Sequence, residues 1–178
     1  MSVTTETTIP GYIAGTWTID PVHSEVGFSV RHMMVSKVRG KFNEFSGQIV
    51  TAASPLDSSA SVTIDLHSID TGNHDRDNHI RSADFFDVDV HPQVRFTSTR
   101  ITGLGNGRVH VRSELEVAGT PVPVAFDASV RVIDGELELE ATTTVDQRRL
   151  GMSQGPLRNV RPPTKMHVKT RLVRERPE

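Results

Sequence analysis

At 178 residues, with a formal net charge of −2 and no cysteine, the chain is the size of one domain, and disulfides, thiolate nucleophiles and cysteine-ligated metals are excluded. Its 20 basic and 22 acidic residues are mixed along the chain instead of being gathered into runs, so it carries no footprint for nucleic acid or another polyanion. Met1 to Pro10 is polar and threonine-rich, without the basic start, apolar run or cleavage site of a secretion signal, and no stretch approaches the roughly 20 apolar residues of a membrane-spanning helix. The expectation is a cytoplasmic protein that meets lipid only in solution or at a membrane surface, with residues 1–14 an N-terminal extension and 15–176 a single domain.

Beyond the extension, apolar and polar residues alternate with period two, the pattern of strands with one face in a core. Val26, Phe28 and Val30 alternate with Glu25, Gly27, Ser29 and Arg31, and a second strand segment lies near Val38 to Val50. Val62, Ile64 and Leu66 then alternate with Ser61, Thr63, Asp65 and His67. Asn73 to Phe86 breaks the pattern and predicts a short helix at one end of the sheet. Asn73 suits its N-cap, Asp75 and Asp77 favour the first turn, and Ile80, Ala83 and Phe86 share a face.

Strand character returns near Val94 to Ile101. Val109, Val111, Leu115 and Val117 form one face, followed by Val122, Val124, Phe126, Ala128, Val130 and Val132, and by Leu137, Leu139, Ala141, Thr143 and Val145. Arg148 to Thr164, with Gly151, Gly155, Pro156, Pro162 and Pro163, predicts a long loop over a barrel mouth. Met166, Val168, Thr170 and Leu172 close the series, for about eight strands in all. Gly105-Asn106-Gly107, Gly119-Thr120-Pro121 and Asp134-Gly135 are short turn clusters that favour antiparallel hairpins, so the last four strands read as an up-and-down meander.

Alternation alone fits a sandwich or a closed barrel. The wording of the segments chooses between them. Thr16-Trp17-Thr18-Ile19-Asp20, His23-Ser24 and Val26-Gly27-Phe28 resemble the opening of the YceI-like family. The resemblance continues through Phe42, Phe45 and Gly47, Thr71-Gly72-Asn73, Arg76 to Ser82, Asp84-Phe85-Phe86-Asp87 and His91-Pro92, from about Gly15 to Arg174. It implies an all-β fold, an eight-stranded antiparallel lipocalin-like β-barrel with one short helix capping one end. It also implies binding of a long apolar lipid, a polyisoprenoid or an isoprenoid quinone, without catalysis and with no other cofactor. At Arg148-Arg149-Leu150-Gly151-Met152 the chain departs from the Arg-x-Asp-Phe-Gly wording of many relatives, so the family's mouth is not carried over.

In a small barrel the apolar faces point inward, which nominates Phe28, Val30, Val62, Ile64, Leu66, Phe96, Val111, Leu115 and Phe126 as lumen residues. Ser98, Ser113, Ala128, Ala141 and Thr143 fall on the same faces, and their small size leaves room for a channel. Ile80, Phe85 and Phe86 would plug one end and touch a bound tail. Arg76, His79 and Arg81 offer donors to a polar headgroup. Two rivals stand beside lipid binding. One is a metal-dependent enzyme built on His74, His79, Asp75 and Asp77, although a spacing of five sets the two histidines on diverging helix faces. The other is an interaction barrel with a filled core, for which homodimerisation is left open. Nucleophilic catalysis lacks its Gly-x-Ser-x-Gly elbow, and no catalytic residue is nominated.

Overall fold

The computed structural model describes residues 9–32, 36–83, 85–117, 119–146 and 160–175. Their strands are β1 (Gly15–Ile19), β2 (Glu25–His32), β3 (Ser36–Phe42), β4 (Phe45–Thr51), β5 (Ser59–Asp65), β6 (Ile69–Asp70), β7 (Gln93–Gly105), β8 (Arg108–Val117), β9 (Thr120–Ile133), β10 (Glu136–Val145) and β11 (Val160–Arg174), with one helix, α1 (His74–Arg81). All pair antiparallel in a single sheet.

The sheet closes because β11 is long enough to meet two strands in succession, β2 through Val168 opposite Val26 and β1 through Leu172 opposite Ile19. β1 and β2 thus form one bent stave along β11. β4 and β3 line up beside that stave, and β5 and β6 follow beside them. Five unbroken strands, β7 to β11, complete a closed eight-stave barrel. Every stave neighbours its successor in the chain, and closure leaves no long edge to aggregate.

Turn chemistry sets the hairpins. Asp134 and Gly135 both take positive φ, 52° and 80°, as do Asn106 and Gly107, 55° and 75°. This is the pair of left-handed residues that a two-residue hairpin turn requires. These turns and the β4–β5 connection lie at one end of the barrel, the turn end; α1 and the β8–β9 hairpin lie at the other, the helix end.

Several elements differ from expectation. Val38 to Val50 is two strands, broken at Asn43 and Glu44, and β1 is an additional short strand. Leu66 lies beyond β5 in a single 3-10 turn, where it is still fully buried. Asn73 caps α1 as expected, its side-chain oxygen accepting from the Arg76 N–H at 3.0 Å. The helix stops at Arg81, however, so Ala83 and Phe86 lie in the turns that follow. The last strand begins at Val160, earlier than the expected loop allows. Its Pro162 and Pro163 fall where the ladder to β2 shifts register between Arg161 and Lys165, so the missing N–H groups interrupt no regular pairing. The remainder of the expected mouth loop, 148–159, is outside the described residues.

Candidate functional site

The barrel interior is filled in one half and open in the other. At the helix end, Val26, Phe42, Ile64, Leu66, Ile69, Val88 and Val94 form a buried cluster. Phe28 and Phe86 flank Phe42 with ring centroids 5.4 and 6.5 Å away. Phe28 fits because Gly40 stands opposite it on β3: a Cβ there would lie 2.4 Å from the ring. Beside this cluster, and sharing Val26 and Ile64 with it, runs an apolar channel of about 190 Å³ walled by residues of β1, β2, β4, β5 and β7 to β11.

β10 shows its length. Leu137, Leu139, Ala141, Thr143 and Val145 all line the channel; at about 3.4 Å per residue and a strand tilt of about 40°, they span about 20 Å along the barrel axis. From β11 come Met166, Val168, Thr170 and Leu172, and from β8 and β9 Val109, Val111, Leu115, Val124, Phe126 and Val130. Ile101 of β7 reaches the channel because the β7–β8 ladder shifts between Ser98 and Arg100, a bulge that resets which residues face inward.

No charged side chain lines the channel among the described residues. The lining hydroxyls at the turn end are bonded to the protein: Thr51 donates to the Ile13 carbonyl at 2.8 Å and accepts from Trp17 Nε1 at 2.9 Å, and the Tyr12 hydroxyl donates to the Ala52 carbonyl. The volume resembles that of an engineered dry cavity of roughly 150 Å³ that takes up benzene. It falls below the roughly 300–1,000 Å³ of drug-sized pockets. The open space therefore suits a slender apolar segment rather than a bulky head.

Of the nominated lumen residues, Val62, Ile64, Phe96, Val111, Leu115 and Phe126 come together on the channel wall. Phe28, Leu66, Ile80 and Phe86 instead belong to the filled half, Val30 lies on β2 away from the channel, and Phe85 packs edge-on against His79 at 5.0 Å. Ala128 is buried among the wall residues Val109, Val111 and Ala141 and does not itself border the open space. The Ser98 hydroxyl accepts from the Ala60 N–H at 2.8 Å, and the Ser113 hydroxyl donates to the Val124 carbonyl at 2.6 Å, so both serve the sheet. Only Ala141 and Thr143 of the five small residues border the open space.

Two of the nominated headgroup residues, Arg76 and Arg81, tie α1 to the backbone around β6. Arg76 donates through Nε to the Thr71 hydroxyl and through a guanidinium nitrogen to the Thr71 carbonyl, both at 2.8 Å. Buried Asp77 accepts from the Thr71 N–H at 3.0 Å and from its hydroxyl at 2.5 Å. Arg81 reaches the carbonyls of His67 and Ile69 and the Asn78 side chain at 2.8 to 3.0 Å. The same geometry separates the nominated metal ligands: His74 pairs with Asn78 at 3.2 Å, Asp77 turns to Thr71, and His79 faces Phe85.

Displaced titrations lie outside the channel. On the outer face of β9 to β11, the Arg131 guanidinium, with Lys169 and Arg171 behind it, holds the Glu138 carboxyl below its usual range, and Glu136 and Glu138 push Arg171 up. His23 lowers Asp20, and the Gly72 N–H lowers Asp70. Among the described residues, the channel walls carry no carboxylate, histidine, lysine or arginine side chain.

Sequence reasoning missed Ile9, Tyr12, Pro55 and Ser58, which line the turn end without lying in any strand. It also stopped short of nominating Leu139, Val145, Met166 and Val168, although their alternation had set them on the inward face.

Comparison with known proteins places this geometry. Residues 17–172 match the family described as YceI-like domain. A UPF0312 protein of Vibrio cholerae is 36% identical over 107 residues, covering 60% of this chain and 57% of the relative. A UPF0312 protein of Shewanella baltica is 38% identical over 107 residues, covering 60% and 56%. The chain thus spans less than two thirds of the length of these curated relatives. Among solved structures, the fold is similar to Burkholderia cenocepacia BcnA, with a TM-score of 0.80 and 21% identity over 86% of this chain and 98% of that one. It is also similar to a polyisoprenoid binding domain from Saccharophagus degradans, with a TM-score of 0.72 and 18% identity over 92% and 100%. At these identities the likeness establishes the fold.

Proposed function

The chain belongs to the YceI-like domain family, and from that membership we propose that it binds the tail of a long apolar lipid, a polyprenyl chain or an isoprenoid quinone, inside its barrel and stores or carries it without catalysis. The observation that carries this reading is the apolar channel, whose described walls hold no charged side chain and whose turn-end hydroxyls are already bonded to the protein. Such a surface gives about 0.8 kcal/mol for each methylene buried, less the cost of freezing a flexible chain. The polyisoprenoid binding domain from Saccharophagus degradans shares the fold and supports the choice of ligand class. A tail longer than the channel's open volume enters by displacing lining side chains such as Met166, whose thioether adapts readily.

Organic extraction of the purified chain, followed by mass spectrometry, tests the reading. Recovery of a polyprenyl lipid or an isoprenoid quinone is expected. An extract without lipid, together with no binding of added farnesol or ubiquinone, would overturn it and favour the barrel as an interaction module.

A further inference from the structure

The turn end of the channel is closed by residues that precede the family-matched span, 17–172. Ile9 is buried, 7% exposed, and borders the channel together with Tyr12. The segment folds back on itself, the Tyr12 N–H donating to the Ile9 carbonyl at 3.0 Å. Gly11 takes φ +80°, and a Cβ on it would stand 3.3 Å from Val132 Cβ, so the backbone rests on β9. The next side chain reaches the other way: the Tyr12 hydroxyl bonds the Ala52 carbonyl and lies 3.3 Å from Ser58 Oγ, both on the β4–β5 connection. In the closed ring β9 stands opposite β4. The segment therefore crosses the opening from one wall to the other.

Its chemistry fits a floor rather than a headgroup site. Ile9 offers only carbon, and Tyr12 turns its hydroxyl onto the Ala52 carbonyl. The Ser58 hydroxyl accepts from the Ala52 N–H at 3.1 Å, and the Thr51 hydroxyl is held by Ile13, Gly15 and Trp17. We propose that this strap, residues 9–13, is the floor of the channel and sets the length of apolar chain that the barrel accepts, with the tail tip against Ile9 and Tyr12 and the polar head toward the helix end. The proposal rests on the reading that the channel takes an apolar tail.

Binding of a prenyl alcohol series, geraniol, farnesol, geranylgeraniol and solanesol, to the full chain and to two full-length variants tests it. Affinity of the unchanged chain is expected to rise along the series and level off where the tail meets the strap. The double variant Ile9→Ala with Tyr12→Ala opens the floor. It should leave the shortest alcohol unaffected and level off at a longer one, gaining up to about fourfold for each further methylene admitted. Ile9→Phe adds carbon to the floor and should level off at a shorter one; it keeps the Tyr12 anchor if the double variant fails to fold. The same levelling-off length in all three chains, or an equal change in affinity across the whole series, would refute the floor while leaving tail binding intact. Failure of the unchanged chain to bind any alcohol would remove tail binding itself, and the floor with it.

Discussion

The filled half and the open half of this barrel are written in the same alternating code, yet one packs solid and the other leaves a channel. The difference lies in what faces inward. In the filled half, Phe28, Phe42 and Phe86 meet within 6.5 Å of one another along the trio, with Leu66, Ile69 and Val88 brought in by the turns around α1. In the open half, β10 and β11 supply Ala141, Thr143 and Thr170 among their inward residues, and no residue of α1 borders it. Alternation decides which face is inside; side-chain volume and the irregular segments decide whether the inside is full.

The sharpest way to break this comparison is to truncate one residue in each half. Phe42→Ala should cost about 3–5 kcal/mol, because the aromatic trio loses its centre. Leu139→Ala, which faces space that is already open, should cost clearly less. Equal losses in urea denaturation would show that the two halves are packed alike.

Enlarging small residues reads the same contrast in reverse. Ala128→Phe overpacks the buried cluster that Ala128 forms with Val109, Val111 and Ala141 and should destabilise by about 1–3 kcal/mol. Ala141→Phe projects into the channel and should lower affinity for farnesol by more than about tenfold, since more than two methylenes of tail lose their place. Retained binding by a folded Ala141→Phe chain would put the ligand elsewhere.

The α1 attachment predicts a loss of stability rather than of affinity. Asp77→Asn replaces a carboxylate that accepts two bonds from Thr71 and should cost about 1–3 kcal/mol in thermal or urea unfolding. Arg76→Gln should likewise lower stability and leave farnesol affinity unchanged. A selective loss of binding in Arg76→Gln would restore the headgroup role that the sequence suggested.

The smallest effect concerns the outer face. Glu138 is 7% exposed between Arg131 and Arg171, and its folded-state titration lies below the ordinary 4.5. Its pairing therefore contributes stability above pH 4.5 that is lost as pH falls through the lowered value, an effect of about 1 kcal/mol or less because Arg131 is largely in water. Glu138→Gln should flatten stability over that acid range. An unchanged acid profile would show that the pairing contributes nothing measurable.

Strand faces, hairpins and the Asn73 cap were legible because each depends on local chemistry: alternation, paired left-handed turn residues, and a side chain bonding three residues ahead. The channel was only half legible. Val62, Phe96 and Phe126 could be placed by parity, but parity gives no depth, so Phe28 and Ala128 could not be told from channel lining. The bulge before Ile101, the 3-10 turn holding Leu66 and the crossing of Tyr12 depend on contacts between distant segments, and no local pattern announces them. The partners of Arg76 and Arg81 were not legible, because a guanidinium that bonds backbone carbonyls looks, in sequence, like one awaiting an anion.

The central claim, an apolar tail in the open half alone, is tested most directly by methyl NMR with a prenyl ligand carrying a nitroxide at its tail tip. Broadening of the Val109, Leu137 and Leu139 resonances, which line the channel toward the strap, with Ile69 and Val88 unaffected, is the expected result. Broadening at Ile69 and Val88, or confined to exposed valines such as Val22 and Val90, would contradict it.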